Sequence, residues 1–491
     1  MKQIKESNKN MILVIGNGSL IIKHWTACLL TLVIISSCSV SKQISKQAQA
    51  ILLRDSAIST GHIGLSIYEP ATNKYWYNYN ADKYFIPASN TKLFTLYAGM
   101  KYLGDSLTGL AYQNFSDTAI NVSGTGDPTF MHPDFKNQPA LNFLKSQQKA
   151  IYLSGDYKDS ALGYGWAWDD YNDDYMVERS AFPIYGNVIS VSLDGYKKEE
   201  KFYIEPNWKT SPKYFESVLP DFRLLEPKYK ADAGLKKIDS NKAQALTKSF
   251  TIERNRTGNN FTLLPANSIF KNQTIPVYTN GIENTVAALK NDFQLNITEG
   301  RLVDESLYPG TPANLRWHKI KSQPTDSLFK PMMHRSDNFF AEQTLLMVGN
   351  EYLGYLSTEK TIETLLNSDL KDVPQRPKWV DGCGLSRYNL FTPQSFVYIL
   401  NKMKNEFGLD RLKNILATGG TGTLSSYYKK DSGYIFAKTG TLSNNCALSG
   451  YLITKTGKIL IFSVLANNYI TGAVLVRKAV EKYLLAIREN Y

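Results

Sequence analysis

Hydrophobic residues near the start of the folded chain follow first the period of strands and then that of a helix. The segments HIGLSIYEP (62–70) and KYWYNYN (74–80) predict two strands joined by the turn residues between them. The next segment, FIPASNTKLFTLYAGMKYLG (85–104), predicts a helix that ends at Gly104. Its apolar residues recur at helical spacing: Leu93, Leu96, Tyr97, Met100 and Leu103. Ser89 therefore lies at the start of this helix.

The pattern changes between about residues 110 and 317, where short segments rich in Tyr, Asn and Gly predict strands and turns. Helical patterns return from about residue 318. Near the end, YIFAKTG, ALSGYLIT and KILIFSVLA predict three strands, and GAVLVRKAVEKYLLAIREN predicts an amphipathic helix. We therefore predict an α/β fold in which one domain, made of residues 38–109 and 318–491, is interrupted by an inserted, mainly β region at 110–317.

The first 37 residues have the pattern of a secretory signal. An apolar run (27–35) follows two basic residues and is too short to span a bilayer. It leads into Ile-Ser-Ser-Cys (35–38), which resembles the lipobox of bacterial lipoproteins, so we expect Cys38 to be lipidated after cleavage. The mature protein would then be anchored on the periplasmic side of the cell envelope, by analogy in the outer membrane. The alternative is ordinary secretory cleavage beside an incidental cysteine, and the long leading stretch suggests that translation starts at Met11.

Composition and charge narrow the classes of function. The chain has 491 residues, 43% of them hydrophobic, which is enough for two or three folded domains. Its net charge is +12. Acidic and basic residues are interspersed, and export separates the protein from nucleic acid, so we expect no nucleic-acid partner. Apart from the signal and Cys38, the remaining cysteines are Cys383 and Cys446. Their spacing indicates neither a disulfide framework nor a metal site, and whether they pair stays open.

Three short motifs carry candidate chemistry. Lys-Thr-Gly occurs twice: at 438–440 it ends a predicted buried strand, whereas at 455–457 it lies between two strands and has the composition of a hairpin turn. Ser-x-x-Lys occurs at 89–92 and also at 146–149 and 357–360. Only the first copy opens a helix, where a serine and a lysine three residues apart share one face.

The third motif, Ser-Asp-Asn at 336–338, lies between the other two in the chain. Each motif alone is weak, but Ser-x-x-Lys, Ser-Asp-Asn and Lys-Thr-Gly in this order form the signature of penicillin-binding proteins and class A β-lactamases. A helix cap at Ser89 and a solvated strand end at Lys438 would explain each motif separately and would not explain the set.

The chain resembles the penicillin-recognising serine peptidases, and most closely the D-alanyl-D-alanine carboxypeptidase/endopeptidase family represented by penicillin-binding protein 4. The resemblance rests on PASNTKLFT, VSGTGDPTF, GWAWDDYN, HRSDNFFAE, DGCGLSRYNLFTP, GGTGTL and AKTGTLSNNCALSGY, and on the long gap before the second motif. It implies a β-lactamase/DD-peptidase-like domain, with an antiparallel sheet flanked by helices and a helical subdomain. The gap corresponds to the family's insertion.

By this resemblance the substrate is a peptidoglycan peptide ending in D-Ala-D-Ala, and β-lactam antibiotics acylate the enzyme. Ser89 would be the nucleophile and Lys92 its base, Ser336 would relay the proton, and Asn338 would orient the lysine. The C-terminal carboxylate would be received by residues of the strand end: Lys438, Thr439, Gly440 and Thr441. No metal or organic cofactor is required.

Two expectations are left open. Arg387 in GLSRYN would bind the free end of a diaminopimelate side chain, or else form a structural ion pair, and Asp170 or its neighbour Asp169 would receive the ammonium group. The chain also departs from the family at Cys383, where serine is usual, and at Asn444-Asn445-Cys446, which leaves leaving-group preference open.

Two other functions remain as alternatives. One is a β-lactamase or esterase on the same fold, which rapid hydrolysis of penicillin would reveal. The other is a catalytically silent lipoprotein that binds peptidoglycan, a function that loss of Ser89 or Lys92 would have favoured.

Overall fold

A computed structural model of the chain describes residues 41–155, 157, 159–194, 201–205, 223–224, 251–259, 261–264, 272–300 and 316–491. The signal and Cys38 lie outside these residues. Among the described residues, no helix combines the length and the apolar character needed to cross a membrane.

One layer of the molecule is a six-stranded antiparallel sheet that contains strands from near both ends of the described chain. Its strands are β1 His62–Glu69, β2 Lys74–Tyr79, β14 Ala417–Thr418, β15 Ile435–Leu442, β16 Asn445–Ile453 and β17 Ile459–Asn467. Their order is β14-β15-β16-β17-β1-β2, so the first strand pairs with the last one. The predicted hairpin at 62–80 and the three predicted C-terminal strands are all present.

Both faces of this sheet are buried. Successive residues of β17 alternate between two hydrophobic clusters: Leu460 and Phe462 face one, and Ile461 faces the other. The first cluster is covered by residues 41–53, which are helical, and by the long C-terminal helix. The second lies against the helical part of the molecule. A strand buried on both faces explains the continuous apolar run of KILIFSVLA.

The helices lie on both sides of the sheet and in a helical lobe beside it. They are α1 Lys92–Tyr102, α2 Pro139–Lys145, α3 Glu283–Phe293, α4 Thr325–His334, α5 Asn338–Leu353, α6 Thr358–Asn367, α7 Pro393–Phe407, α8 Leu409–Ile415 and α9 Ala473–Asn490. A 3₁₀ turn, Ala88–Thr91, leads directly into α1. Gly104 has a φ of +66°, as the predicted end of this helix requires.

The described residues between α1 and α4 form three further sheets. Their strands are β3 Ser106–Asn114, β4 Ala119–Gly124, β5 Ala150–Ser154, β6 Val188–Asp194, β7 Lys201–Glu205, β8 Arg223–Leu224, β9 Thr251–Arg254, β10 Phe261–Leu264, β11 Asn272–Pro276, β12 Ile297–Glu299 and β13 His318–Pro324. The sheets have the orders β12-β5-β4-β3-β13, β11-β6-β7 and β8-β10-β9.

The five-stranded sheet extends across both predicted boundaries of the insertion. The boundary at 109/110 falls inside β3, and β13, which begins at His318, pairs antiparallel with β3. The sheet therefore runs from Ser106 to Pro324, a few residues beyond the predicted 110–317 at each side. The division into domains itself stays a prediction.

Candidate active site

The short turn before α1 places a serine directly above a lysine. Ser89 lies in the 3₁₀ turn and Lys92 is the first residue of α1. Ala88 takes a φ of +48°, which turns the chain sharply before the serine. Lys92 is completely buried, and its Nζ donates a hydrogen bond to Ser89 Oγ over 2.9 Å. The base predicted from the sequence is thus within reach of the nucleophile.

Two further acceptors hold the lysine in place. Lys92 Nζ lies 2.7 Å from Asn338 Oδ1 and 2.8 Å from the backbone oxygen of Cys383. Burial lowers the pKa of Lys92, while the thiol of Cys383 and the nearby carboxylates of Asp381, Asp337 and Glu342 oppose that shift. A lysine with a lowered pKa is a better proton acceptor at neutral pH than an exposed one.

The second motif forms the tight turn between α4 and α5. Ser336 has a φ of +64°, and Asp337 caps α5 by accepting a hydrogen bond from the Phe340 backbone N–H over 2.9 Å. Asn338 begins the helix and donates from Nδ2 to the backbone oxygen of Tyr175 over 3.1 Å. The turn therefore directs Asn338 toward Lys92 and Ser336 toward Lys438.

The third motif comes from β15. Lys438 is buried, and its Nζ donates to Ser336 Oγ over 2.8 Å and to the backbone oxygen of Thr439 over 2.7 Å. Burial lowers the pKa of Lys438 well below its usual value, and the positive charges of Lys92 and Arg477 add to the effect. Two serine–lysine pairs thus face one another.

Gly440 explains why the strand can lie so close to the nucleophile. A Cβ atom at this position would be 2.6 Å from the Pro87 backbone oxygen and 3.1 Å from the Ser89 backbone nitrogen. Real side chains do not fit at such distances, so the contact between β15 and the turn requires glycine here. The predicted Lys438, Thr439, Gly440 and Thr441 therefore run past Ser89.

An open cleft of about 580 Å³ lies above these groups. It is lined by Ser89, Gly165, Ala167, Asp169, Asp170, Tyr175, Ser336, Asn338, Gly384, Leu385, Arg387, Thr441, Leu442 and Ser443. A cleft of this size with a few convergent polar groups is typical of a small-molecule or peptide site.

Arg387 and Asp170 both line this cleft. The exposed guanidinium of Arg387 donates to the backbone oxygen of Ser443 over 3.4 Å. Among the residues that the structure describes, no carboxylate forms an ion pair with it, so the structural alternative for Arg387 gains no support. Burial raises the pKa of Asp170, as do Asp169 and Asp173, whereas a hydrogen bond from Tyr175 and the charge of Arg387 lower it.

Other residues of the site carried no sequence signal. Tyr175 and Ser443 line the cleft, and Arg477 of α9 donates from Nη2 to Thr441 Oγ1. The positive charge of Arg477 lies near Lys438 and contributes to its lowered pKa. Tyr175 and Arg477 belong to no motif, because only the packing of distant segments brings them to the site, whereas Ser443 lies just beyond the Lys-Thr-Gly copy at 438–440.

The competing motif copies have structural roles. Gly457 of the second Lys-Thr-Gly has a φ of +82° in the turn between β16 and β17, and Lys455 pairs with Glu489. The prediction that only the Ser-x-x-Lys copy at 89–92 opens a helix is wrong, because Ser357 caps α6; the Lys360 amine, however, forms an exposed ion pair with Glu363. These observations agree with the prediction that only the copy at 438–440 serves the site.

Both remaining cysteines are free and buried. Burial raises the pKa of the Cys383 thiol. Potential ligand atoms of Glu342, Asp381 and Cys383 lie within 4.8 Å of one another. Both carboxylates already accept hydrogen bonds from backbone N–H groups of the 381–389 segment, which commits them to holding that segment.

These groups together define a class of enzyme. A serine hydroxyl accepts a hydrogen bond from a buried lysine amine, a second serine–lysine pair lies nearby, and the first serine opens onto a cleft. This is the arrangement of a serine hydrolase in which lysine performs the proton transfer that histidine performs elsewhere.

Comparison with known proteins identifies the family. The model of the family described as D-Ala-D-Ala carboxypeptidase 3 (S13) matches residues 45–219 and 229–488. The chain therefore belongs to the D-Ala-D-Ala carboxypeptidase 3 (S13) family, which confirms the resemblance drawn from the motifs.

The relatives match to different extents. The carboxypeptidase DacB of Mycolicibacterium smegmatis is 30% identical over 162 residues, which cover 30% of this chain and 35% of that protein. The match to the D-alanyl-D-alanine carboxypeptidase DacB of Haemophilus influenzae spans a similar 34% of its length. The D-alanyl-D-alanine carboxypeptidase of an Actinomadura species is 23% identical over 471 residues, covering 85% of this chain and 80% of the other.

The fold is also shared with a solved structure. Penicillin-binding protein 4 from Haemophilus influenzae superposes with a TM-score of 0.66 at 21% identity, covering 91% of this chain and 99% of the other. The predicted fold class is thereby confirmed.

Proposed function

We propose that the protein is a penicillin-sensitive serine D-Ala-D-Ala carboxypeptidase that trims peptidoglycan peptide stems through an acyl-enzyme on Ser89. One observation carries this proposal: the buried Lys92 amine lies 2.9 Å from Ser89 Oγ at the floor of an open cleft. Family membership supports the substrate class, and the D-alanyl-D-alanine carboxypeptidases among the relatives support the reaction.

The first step is attack by Ser89 Oγ on the carbonyl carbon of the penultimate D-alanine, while Lys92 takes the hydroxyl proton. The backbone N–H groups of Ser89 and Thr441 stabilise the oxyanion. Ser336 Oγ, which Lys438 holds at 2.8 Å, passes a proton to the departing D-alanine nitrogen. Water then hydrolyses the acyl-enzyme, with the lysine acting again as base.

The terminal carboxylate of the substrate has a second role. It binds beside Lys438, Thr439 and Thr441, where it stabilises the positive charge of Lys438. The ion pair that the carboxylate and Lys438 form holds the substrate in the cleft with its carbonyl group near Ser89. A free carboxylate is therefore both a recognition element and an aid to acylation. A penicillin whose carboxylate is esterified should acylate the enzyme more slowly, and an equal rate would argue against this role.

The adduct with penicillin tests the reaction. Full-length protein in detergent is incubated with benzylpenicillin and analysed by peptide mass spectrometry, with Ser89→Ala as the control. We expect a stable adduct on the peptide that contains Ser89 and none in the control, because the substitution removes the only oxygen that Lys92 activates.

The other outcomes separate the alternatives. Intact penicillin without an adduct would favour the silent peptidoglycan-binding protein. Hydrolysed penicillin without a lasting adduct would favour the β-lactamase. Endopeptidase activity on D-alanyl cross-links is proposed as a second activity, supported by the open cleft, and purified cross-linked muropeptides test it directly.

We propose further that Arg387 and Asp170 bind the charged end of a diaminopimelate side chain. Their opposite charges line the same cleft as Ser89, and the charge of Arg387 acts on Asp170. A stem peptide with diaminopimelate should then be cleaved faster than one with a neutral residue at that position. Equal rates for both peptides would contradict this assignment.

A lipid anchor at Cys38 is proposed from the sequence pattern at 35–38. The chain would be exported and held on the periplasmic side of the envelope, by analogy at the outer membrane. Replacing Cys38 by serine should move the protein from the membrane fraction to the soluble periplasmic fraction. Unchanged membrane association after Cys38→Ser would contradict the anchor.

A further inference from the structure

A buried carboxylate lies one turn beyond Asn338 on α5. Glu342 follows Asn338 by four residues, so both side chains leave the same face of the helix. Glu342 is completely buried, whereas Asn338 reaches the cleft. The proposed mechanism assigns Glu342 no role, although a buried acid is costly unless it is fully paired.

Glu342 reaches the catalytic lysine through a single peptide unit. Its Oε1 accepts a hydrogen bond from the Cys383 backbone N–H over 2.7 Å. The backbone oxygen of the same residue accepts from Lys92 Nζ over 2.8 Å. Glu342 therefore binds the backbone N–H of Cys383, and Lys92 binds the backbone oxygen of the same residue. Any shift of this acid changes where the lysine amine points relative to Ser89 Oγ.

The other carboxylate oxygen faces a buried cation. Arg179 Nη1 lies 3.4 Å from Glu342 Oε2 and 3.6 Å from Asp159 Oδ2. Arg179 thus forms ion pairs with two carboxylates, so its positive charge does not stabilise Glu342 alone. The pKa of Glu342 is raised to about 7: burial and the charge of Asp381 raise it, whereas Arg179 and the hydrogen bonds with Cys383 lower it.

Several charged or titratable groups surround Glu342 and the lysine that it helps to hold. They are Lys92 and Lys438 on the cleft side, Asp337 at the start of α5, and Tyr157, Asp159, Arg179, Asp381 and Cys383 from the surrounding loops. Glu342 combines a hydrogen bond from Cys383, the residue whose backbone oxygen holds Lys92, with a pKa raised to about 7.

We propose that Glu342 is a positioning residue of the acylation step: its carboxylate fixes the peptide that aims Lys92 at Ser89, and its charge stabilises the protonated form of Lys92. This inference rests on the proposed function. It assigns two separable effects to one side chain, because a neutral isostere keeps the hydrogen bond from Cys383 and loses the charge.

The sign of the charge effect follows from linkage between the two groups. Ionised Glu342 raises the pKa of Lys92, so it delays formation of the neutral amine as the pH rises. Replacing it by glutamine removes this delay, and the acid limb of the acylation rate should move to lower pH by about one unit. The plateau rate at high pH should change little, because the glutamine oxygen still accepts from Cys383.

The experiment measures the second-order rate of acylation by benzylpenicillin from pH 4.5 to 10 for full-length protein in detergent. The variants are Glu342→Gln, Glu342→Asp and, as a matched control, Glu351→Gln. Glu351 lies on the same helix and binds Lys319 and Thr108 away from the site. The control therefore reports what loss of a carboxylate on this helix does by itself.

Support requires an acid limb displaced in Glu342→Gln and unchanged in Glu351→Gln. Glu342→Asp should show the opposite pattern, an unshifted limb and a plateau about tenfold lower, because the charge stays and the reach to Cys383 is lost. If the glutamine variant does not fold, the aspartate variant decides alone: an unchanged plateau would overturn the proposal.

Superimposable pH profiles for wild type and a folded Glu342→Gln would also overturn it. A wild-type chain that benzylpenicillin does not acylate at any pH would instead contradict the proposed function on which the inference rests. The two failures are thus told apart by the wild-type measurement.

Discussion

Gly440 and Gly457 end two identical Lys-Thr-Gly tripeptides, yet a Cβ atom would meet different surroundings at each. At Gly440 it would lie 2.6 Å from the backbone oxygen of Pro87. At Gly457 no atom lies within 4 Å, but the φ of +82° is unfavourable for any residue with a side chain. One glycine is required by its neighbours, and the other by its own backbone.

This contrast predicts different outcomes for the same substitution. Gly440→Ala should lower the rate of acylation by benzylpenicillin by about 100-fold, because the strand must move away from Ser89. Gly457→Ala should cost about 1 kcal/mol of unfolding free energy and leave the acylation rate unchanged. Stopped-flow acylation and thermal denaturation of both variants measure the two effects. Equal loss of activity in the two variants would contradict the assignment of the first copy to the site.

At the scale of elements, a single carboxylate organises the segment 381–389 beneath the cleft. Asp381 is buried and accepts hydrogen bonds from the backbone N–H groups of Gly384 and Ser386, from Asn389 Nδ2 and from Trp166 Nε1, over 2.7 to 2.9 Å. The same segment supplies the Cys383 oxygen to the lysine and carries Arg387. The conformation of this segment is therefore fixed by hydrogen bonds to the Asp381 carboxylate rather than by regular secondary structure.

Asp381→Asn should destabilise the protein substantially. An amide turns one of its two acceptor atoms into a donor that faces other donors, which costs about 2–4 kcal/mol of unfolding free energy. Chemical denaturation measures this loss. The matched control is Asp410→Asn, since the Asp410 side chain is 96% exposed. A loss below 1 kcal/mol for Asp381→Asn would mean that the segment is held by other contacts.

At the scale of the whole molecule, the parts predicted from the sequence are those with local signals. The Ser89–Lys92 face follows from helical spacing, and the hairpins follow from alternation and turn residues. Tyr175 and Arg477 carry no such signal, because each reaches the site through packing between segments far apart in the chain, whereas Glu342 lies one helical turn after Asn338 in a segment that the sequence already singles out. The pairing of β3 with β13 was not predicted for a similar reason, because it joins residues about two hundred apart.

The pairing of the first strand with the last has a consequence for biogenesis. β1 needs β17 as its neighbour, and α9, which covers one face of the sheet, comes later still. A chain leaving the ribosome thus cannot close this sheet until nearly all of it has been synthesised, and such long-range closure is slow. A penicillin with a fluorescent label would then report completed folding, since no truncated chain that lacks β15 can present both lysines to it.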